Sequence, residues 1–126
     1  MVNPQSGGLP PQIQQQLAMF QQIQQQLQQV SSQKMQYEMT LRETKRAQEE
    51  LAAVADDAVV FASAGSVLMQ KNKSVVVADL QENVDSLELR ISSLEKQEKA
   101  MTTKASQLQK QIQDAIAGQG SVPTAQ

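Results

Sequence analysis

The sequence predicts a mostly α-helical chain: two long helices paired antiparallel as a coiled coil, with a single β-hairpin at the bend. Three observations carry this. Apolar residues recur every seven positions in both halves of the 126 residues, the repeat of a coiled-coil seam. Between the halves lies a stretch with the composition of short strands around a glycine turn. Aromatic residues make up only 2% and hydrophobic residues 40% of the chain, too little bulk for a conventional globular core, which favours an elongated architecture.

Residues 1–10 hold two prolines and a Gly-Gly pair and read as a flexible leader, ending where Pro10 and Pro11 can open a helix. In the first helix, over 11–53, one heptad row is Ile13, Phe20, Leu27, Lys34, Leu41 and Gln48, and the other is Gln16, Ile23, Val30, Tyr37, Thr44 and Leu51. The second helix, over 74–117, repeats the pattern with Leu80, Leu87, Leu94, Met101, Leu108 and Ala115, and with Val84, Ile91, Glu98, Ala105 and Ile112. Each helix is about 65 Å long at 1.5 Å per residue. Gly118 and Gly120 are expected to end the second, leaving 118–126 as a disordered tail.

The segment 54–73 changes period. Ala58 to Ser63 and Ser66 to Gln70 are runs rich in β-branched and bulky residues, and Gly65 between them can take the positive φ of a tight turn. Asp56 and Asp57 stop the first helix and Ser74 is the expected N-cap of the second, although Val75, Val76 and Val77 fit a strand extension equally well.

A lone two-stranded hairpin is marginal in water. This one has two free edges and apolar residues on both faces, with Val59 grouped with Phe61 and Val60 with Leu68, and Val67 and Met69 adding further apolar surface. Equivalent hairpins from other chains would close a sheet or barrel and remove the edges, so Val59, Val60, Phe61, Gly65, Val67, Leu68 and Met69 are the expected oligomerisation residues. The alternative is a hairpin folded back on its own helices. Antiparallel pairing also brings the seam interruptions Lys34 and Glu98 to within about one layer of each other, with Tyr37 nearby. They either compensate each other as a register-fixing polar layer or send both side chains to water.

The far helix ends are neutral, because no Asp, Glu, Lys or Arg precedes Lys34 and none follows Asp114. Ile13, Leu17, Met19, Phe20, Ile23 and Leu27 are interleaved with glutamines, and Leu108, Ile112, Ala115 and Ile116 come opposite. Near the open end of a helix pair such side chains have few neighbours, and several are expected to stay partly exposed, as a surface that takes many apolar partners weakly. That is what a holding chaperone requires. The simpler alternative is that they finish the coiled-coil seam.

The sequence has no Cys, no His and no Trp, which removes the usual soft metal ligands and the side chain that titrates near neutral pH. Serines have no histidine base, and Gly7-Gly8 lacks the lysine of a phosphate-binding loop. No enzyme activity and no cofactor are expected, so any chaperone action runs on binding affinity without ATP. A net charge of −2 argues against nucleic acid. The absence of a long apolar run argues against a membrane span, and the absence of cysteine suits a cytoplasmic location.

The segments ADDAVVFASAGSVLMQ and LQENVDSLELRISSLEKQEK resemble the beta class of archaeal prefoldin over nearly the whole chain. The likeness rests on Asp-Asp-Ala entering the first strand, the Gly65 turn followed by Val67-Leu68-Met69, and Leu87-Glu88-Leu89-Arg90 followed by Glu95-Lys96-Gln97-Glu98. Phe61-Ala62 stands where the family usually has an aromatic followed by Lys. The resemblance implies a hexamer of two alpha and four beta subunits built on hairpin barrels, capture of non-native client proteins at the helix tips, and delivery to a group II chaperonin. One hairpin per chain fits the beta class. The competing expectation is a structural or tethering coiled-coil adaptor with one defined folded partner.

Overall fold

The computed structural model describes residues 9–124, with side-chain surroundings described through 118. The elements run α1 (Pro11–Ala52), β1 (Val60–Ala64), β2 (Val67–Lys71) and α2 (Lys73–Thr124). Most of the expected leader, residues 1–8, lies outside the described residues, as do 125 and 126. Contacts divide the chain into a terminal unit, residues 1–32 with 96–126, and a hairpin unit, residues 33–95.

In the terminal unit α1 opens on the expected prolines: the Pro10 carbonyl accepts from the Ile13 and Gln14 amides, both at 3.1 Å. Pro11 takes the first helical position, where its missing N–H costs nothing. Ile23, Ala105 and Leu108 form a buried cluster against which Phe20 and Met101 pack. Ile13 and Ile112 are buried as well. Among the described residues from Lys96 to Gly118, the positions withdrawn from solvent are those of the two heptad rows, as a 3.5-residue repeat requires.

The α2 helix continues through Gly118 and Gly120 to Thr124, past the expected stop at 117. A glycine stop works through a left-handed residue, and Gly65 is the described glycine that takes positive φ. Held in the right-handed region, a glycine costs a helix only about 1 kcal/mol against alanine.

In the hairpin unit Val84, Ile91 and Leu94 of α2 and Leu51 of α1 are buried. The cross-helix pairs are Lys45 with Glu88 at 3.7 Å and Gln48 with Gln81 at 3.1 Å. The second number falls as the first rises, so the helices run antiparallel here. After Ala52 the chain turns, with the Val54 amide donating to the Leu51 carbonyl at 3.1 Å. Asn72, not Ser74, starts α2: its carbonyl accepts from the Val75 and Val76 amides at 3.1 and 3.2 Å. Val75 to Val77 are therefore helical and do not extend the strand. β-branched residues lose only tenths of a kcal/mol in a helix, and Val76 is half-buried in a cleft beneath the hairpin lined also by Leu51, Val60 and Leu80.

β1 and β2 pair antiparallel, with Val60 opposite Lys71, Phe61 opposite Gln70, Ala62 opposite Met69, Ser63 opposite Leu68 and Ala64 opposite Val67. Gly65 and Ser66 form the two-residue loop. Gly65 has φ 63° and no described non-glycine residue has positive φ, the signature of a type II′ turn with glycine first. This register corrects the expected grouping of Val60 with Leu68. An odd-numbered residue pairs with an even one across the turn, so Leu68 shares a face with Phe61 and Ser63, whereas Val60 shares one with Ala62, Met69 and Val67.

Two lysines fasten the hairpin base. Lys71 meets Asp79 at 3.6 Å. Lys73 donates to the Val54 carbonyl at 2.6 Å and to Asp56 at 3.2 Å, a cation on the carbonyls that end α1. The Asp56 side chain is fully exposed while that of Lys73 is 13% exposed, so the carbonyl bond carries most of the stabilisation. Lys73→Met is expected to lower unfolding free energy by about 1–2 kcal/mol, the value of one charge-assisted hydrogen bond, as measured by urea denaturation. A change within about 0.3 kcal/mol would leave the clasp without energetic weight.

Candidate interaction surfaces

Two surfaces stand out once every side chain is placed, one in each unit. On the hairpin, Phe61 is 58% exposed and Leu68 71% exposed. They lie diagonally on the face they share with Ser63 and Gln70, and Val59 just before the strand is exposed too. The opposite face is different. Val60, Ala62 and Lys71 are half-buried, turned toward the cleft over the helix ends, although Val67 and Met69 nearer the turn remain exposed. The hairpin thus covers part of one face with its own helices and leaves Phe61 and Leu68 exposed on the other, beside Ser63 and Gln70.

In the terminal unit the expected exposed residues divide. Ile13, Ile23, Leu108 and Ile112 are buried in the seam. The heptad spacing holds to the last turns, so each still has neighbours across the seam. Leu17, Phe20 and Leu27 are half-buried. Met19 at 46% and Ile116 at 45% are the exposed apolar groups, in a setting of exposed glutamines such as Gln15, Gln22 and Gln113.

Two residues of the expected polar layer, Glu98 and Tyr37, meet partners that the heptad rows alone did not name. In the terminal unit the Ser31 hydroxyl donates to the Glu98 carboxylate. In the hairpin unit the Arg90 guanidinium lies over the Tyr37 ring, 5.7 Å from its centroid, a cation–π contact. Lys34 is half-buried at its seam position. Ser31 directly follows Val30 and Arg90 directly precedes Ile91, so both occupy positions flanking the seam. Such flanking positions are where coiled coils place polar partners, and that signal would have found them.

Among the described residues no group of His, Cys, Asp or Glu could hold a metal ion, and no helix is long and apolar enough to cross a membrane. The surfaces offer contact area and hydrogen bonding.

Residues 14–119 match the family model described as Prefoldin subunit. The prefoldin subunit beta of Methanospirillum hungatei is 46% identical over 110 residues, which covers 87% of this chain and 92% of the relative. That of Methanosarcina acetivorans is 45% identical over 108 residues, 86% of this chain and 92% of the relative. Among solved structures, the prefoldin beta subunit from Thermococcus strain KS-1 superposes with a TM-score of 0.81 at 40% identity, covering 86% of this chain and 95% of that one. The beta2 subunit of the same strain shares the fold at 16% identity, with a TM-score of 0.66 over 72% of this chain and 97% of that one.

Proposed function

Because the chain belongs to the prefoldin family of chaperone subunits, we propose that it acts as a beta-class subunit that holds non-native proteins without ATP and passes them to a group II chaperonin. Client holding belongs to the terminal unit. The observation that carries it is the absence of charge at both far helix ends, before Lys34 and after Asp114, where Met19 and Ile116 stay exposed among glutamines. A surface without charge demands no complementarity, and a flexible thioether repacks against many shapes. Leu17, Phe20 and Leu27, half-buried at the seam edge, extend the contact. Ile13, Ile23, Leu108 and Ile112 serve it by holding the two helices together, and become client contacts only when the last turns open.

Assembly belongs to the hairpin. Its Phe61 and Leu68 face is the surface that other subunits cover, in a hexamer of two alpha and four beta chains whose hairpins close into barrels. Val59, Val67 and Met69 contribute further apolar area, while Gly65 sets the turn that keeps the strands in register. Glu98 and Tyr37 act as register-fixing positions through Ser31 and Arg90, as does Lys34, half-buried at its own seam position. The work is done in the cytoplasm, on binding energy alone.

The test is aggregation suppression. The assembled chaperone is added in substoichiometric amount, without nucleotide, to an unrelated protein diluted from denaturant. Met19→Ser with Ile116→Ser is expected to raise the amount needed for half-suppression several-fold, because each loses roughly half of a buried side chain's 1.5–3 kcal/mol, while oligomer mass stays unchanged. Equal suppression by wild type and variant would remove the terminal surface from client binding.

A further inference from the structure

The terminal unit carries its charge on one helix only. Nothing charged lies on α1 before Lys34, so within residues 9–32 no carboxylate is available to α2. From residue 96 onward α2 holds Lys96, Lys99, Lys104 and Lys110 against Glu98 and Asp114. Glu98 is occupied in the seam by the Ser31 hydroxyl. The four lysines are exposed, and among the described residues none of them joins a salt bridge. Residues 33–95, by contrast, contain eleven acidic and seven basic side chains. The net charge of −2 for the whole chain conceals a positive terminal unit.

Lys96, Lys99 and Lys110 also share a face. Their spacing of three and then eleven residues keeps them on one side of a helix, away from the seam positions that are withdrawn from solvent. At 1.5 Å per residue the stripe spans about 21 Å, with Glu95 beside its start, Glu98 turned to the seam and Asp114 one turn beyond its end. An ammonium on a four-carbon stem needs no fixed partner geometry, which suits a disordered chain better than a folded surface. The attraction acts within a Debye length, about 8 Å at physiological salt, and speeds encounter as well as strengthening contact.

We infer that this lysine stripe makes the chaperone prefer non-native polypeptides whose apolar segments are flanked by Asp and Glu. This rests on the client-holding reading of the same unit and names its substrate class. Met19 and Ile116 supply contact without discrimination, and the lysines supply the discrimination. Single-stranded nucleic acid fits the stripe less well: it contains no arginine, Phe20 is the only aromatic side chain in the unit and is half-buried, and three ammonium groups neutralise few phosphates.

The experiment compares two labelled unfolded polypeptides of identical apolar content, one acidic and one with each Asp and Glu replaced by Asn and Gln. Affinities for the assembled chaperone are measured by fluorescence anisotropy at low and high salt. Wild type is expected to bind the acidic chain roughly tenfold tighter at low salt, the combined effect of three exposed ion pairs, and to lose the preference in high salt. The triple variant Lys96→Gln, Lys99→Gln, Lys110→Gln is expected to bind both chains as wild type binds the neutral one, since glutamine keeps the helix and leaves the seam untouched. Equal wild-type affinity for both chains, or a preference that survives the triple substitution, overturns the inference while leaving client holding intact. Binding of neither chain would sink client holding and the preference together. An oligonucleotide of matched charge that displaces the acidic chain better than free acidic polypeptide would reassign the stripe to nucleic acid.

Discussion

Replacing Phe61 and Leu68 together by Asp is expected to break the assembly into single chains without loss of helical content. Both side chains stand largely in solvent in the isolated chain, on a hairpin whose only strand pairing is β1 with β2. Covering them against other subunits is worth about 1.5–3 kcal/mol each, repeated at every subunit. A carboxylate forced into such an interface costs several kcal/mol more, because no described cation lies on that face to pair with it. The two-strand register itself needs neither side chain, and neither is part of the buried helix seam. Light scattering should therefore report a monomer mass while circular dichroism remains strongly helical. An intact oligomer would show that the subunits meet elsewhere.

The second large effect lies in the seam. Leu108 is buried beside Ile23 and Ala105, with Phe20 and Met101 packed around them. Leu108→Ala removes three carbons, Cγ and its two methyl groups, from this cluster, and a two-helix pair has no further layer to collapse into the gap. A loss of about 2–4 kcal/mol is expected, visible as a lower urea midpoint with little change in slope. Leu89→Ala is the matched control: the side chain is 73% exposed, and the same deletion there should change stability by less than about 0.5 kcal/mol. Similar losses at both positions would mean that the heptad rows do not define the core.

The helices were legible because their information is periodic. Each of the expected rows, from Ile13 to Leu51 and from Leu80 to Ala115, is buried or half-buried, and seven-residue repetition averages out local exceptions such as Lys34 and Glu98. The hairpin was legible from composition and from Gly65, whose φ of 63° is the conformation glycine alone adopts cheaply. What failed depended on single positions. The parity of strand pairing follows from loop length, which composition leaves open by one residue, and that residue moved Leu68 to the face of Phe61. The start of α2 at Lys73, and its run past Gly118, turn on a few tenths to about 1 kcal/mol of propensity, small enough for neighbouring contacts to decide. Which apolar residues stay exposed at the helix ends depends on how far the pairing continues, so composition does not separate the buried Ile13, Ile23, Leu108 and Ile112 from the exposed Met19 and Ile116. The partners Ser31 and Arg90 sit beside the seam rows, at positions on which the apolar repeat itself carries no information.

On the function proposed above, the terminal surface recognises the non-native state of proteins, and not one folded partner. The most direct measurement titrates the assembled chaperone, without nucleotide, against a single unrelated protein presented once unfolded and once native. Saturable binding of the unfolded form, weakened by Met19→Ser with Ile116→Ser, is expected, with no measurable binding of the native form. Tight binding of the native form, or indifference to whether the protein is folded, would contradict the chaperone reading and point to an adaptor that grips a defined partner.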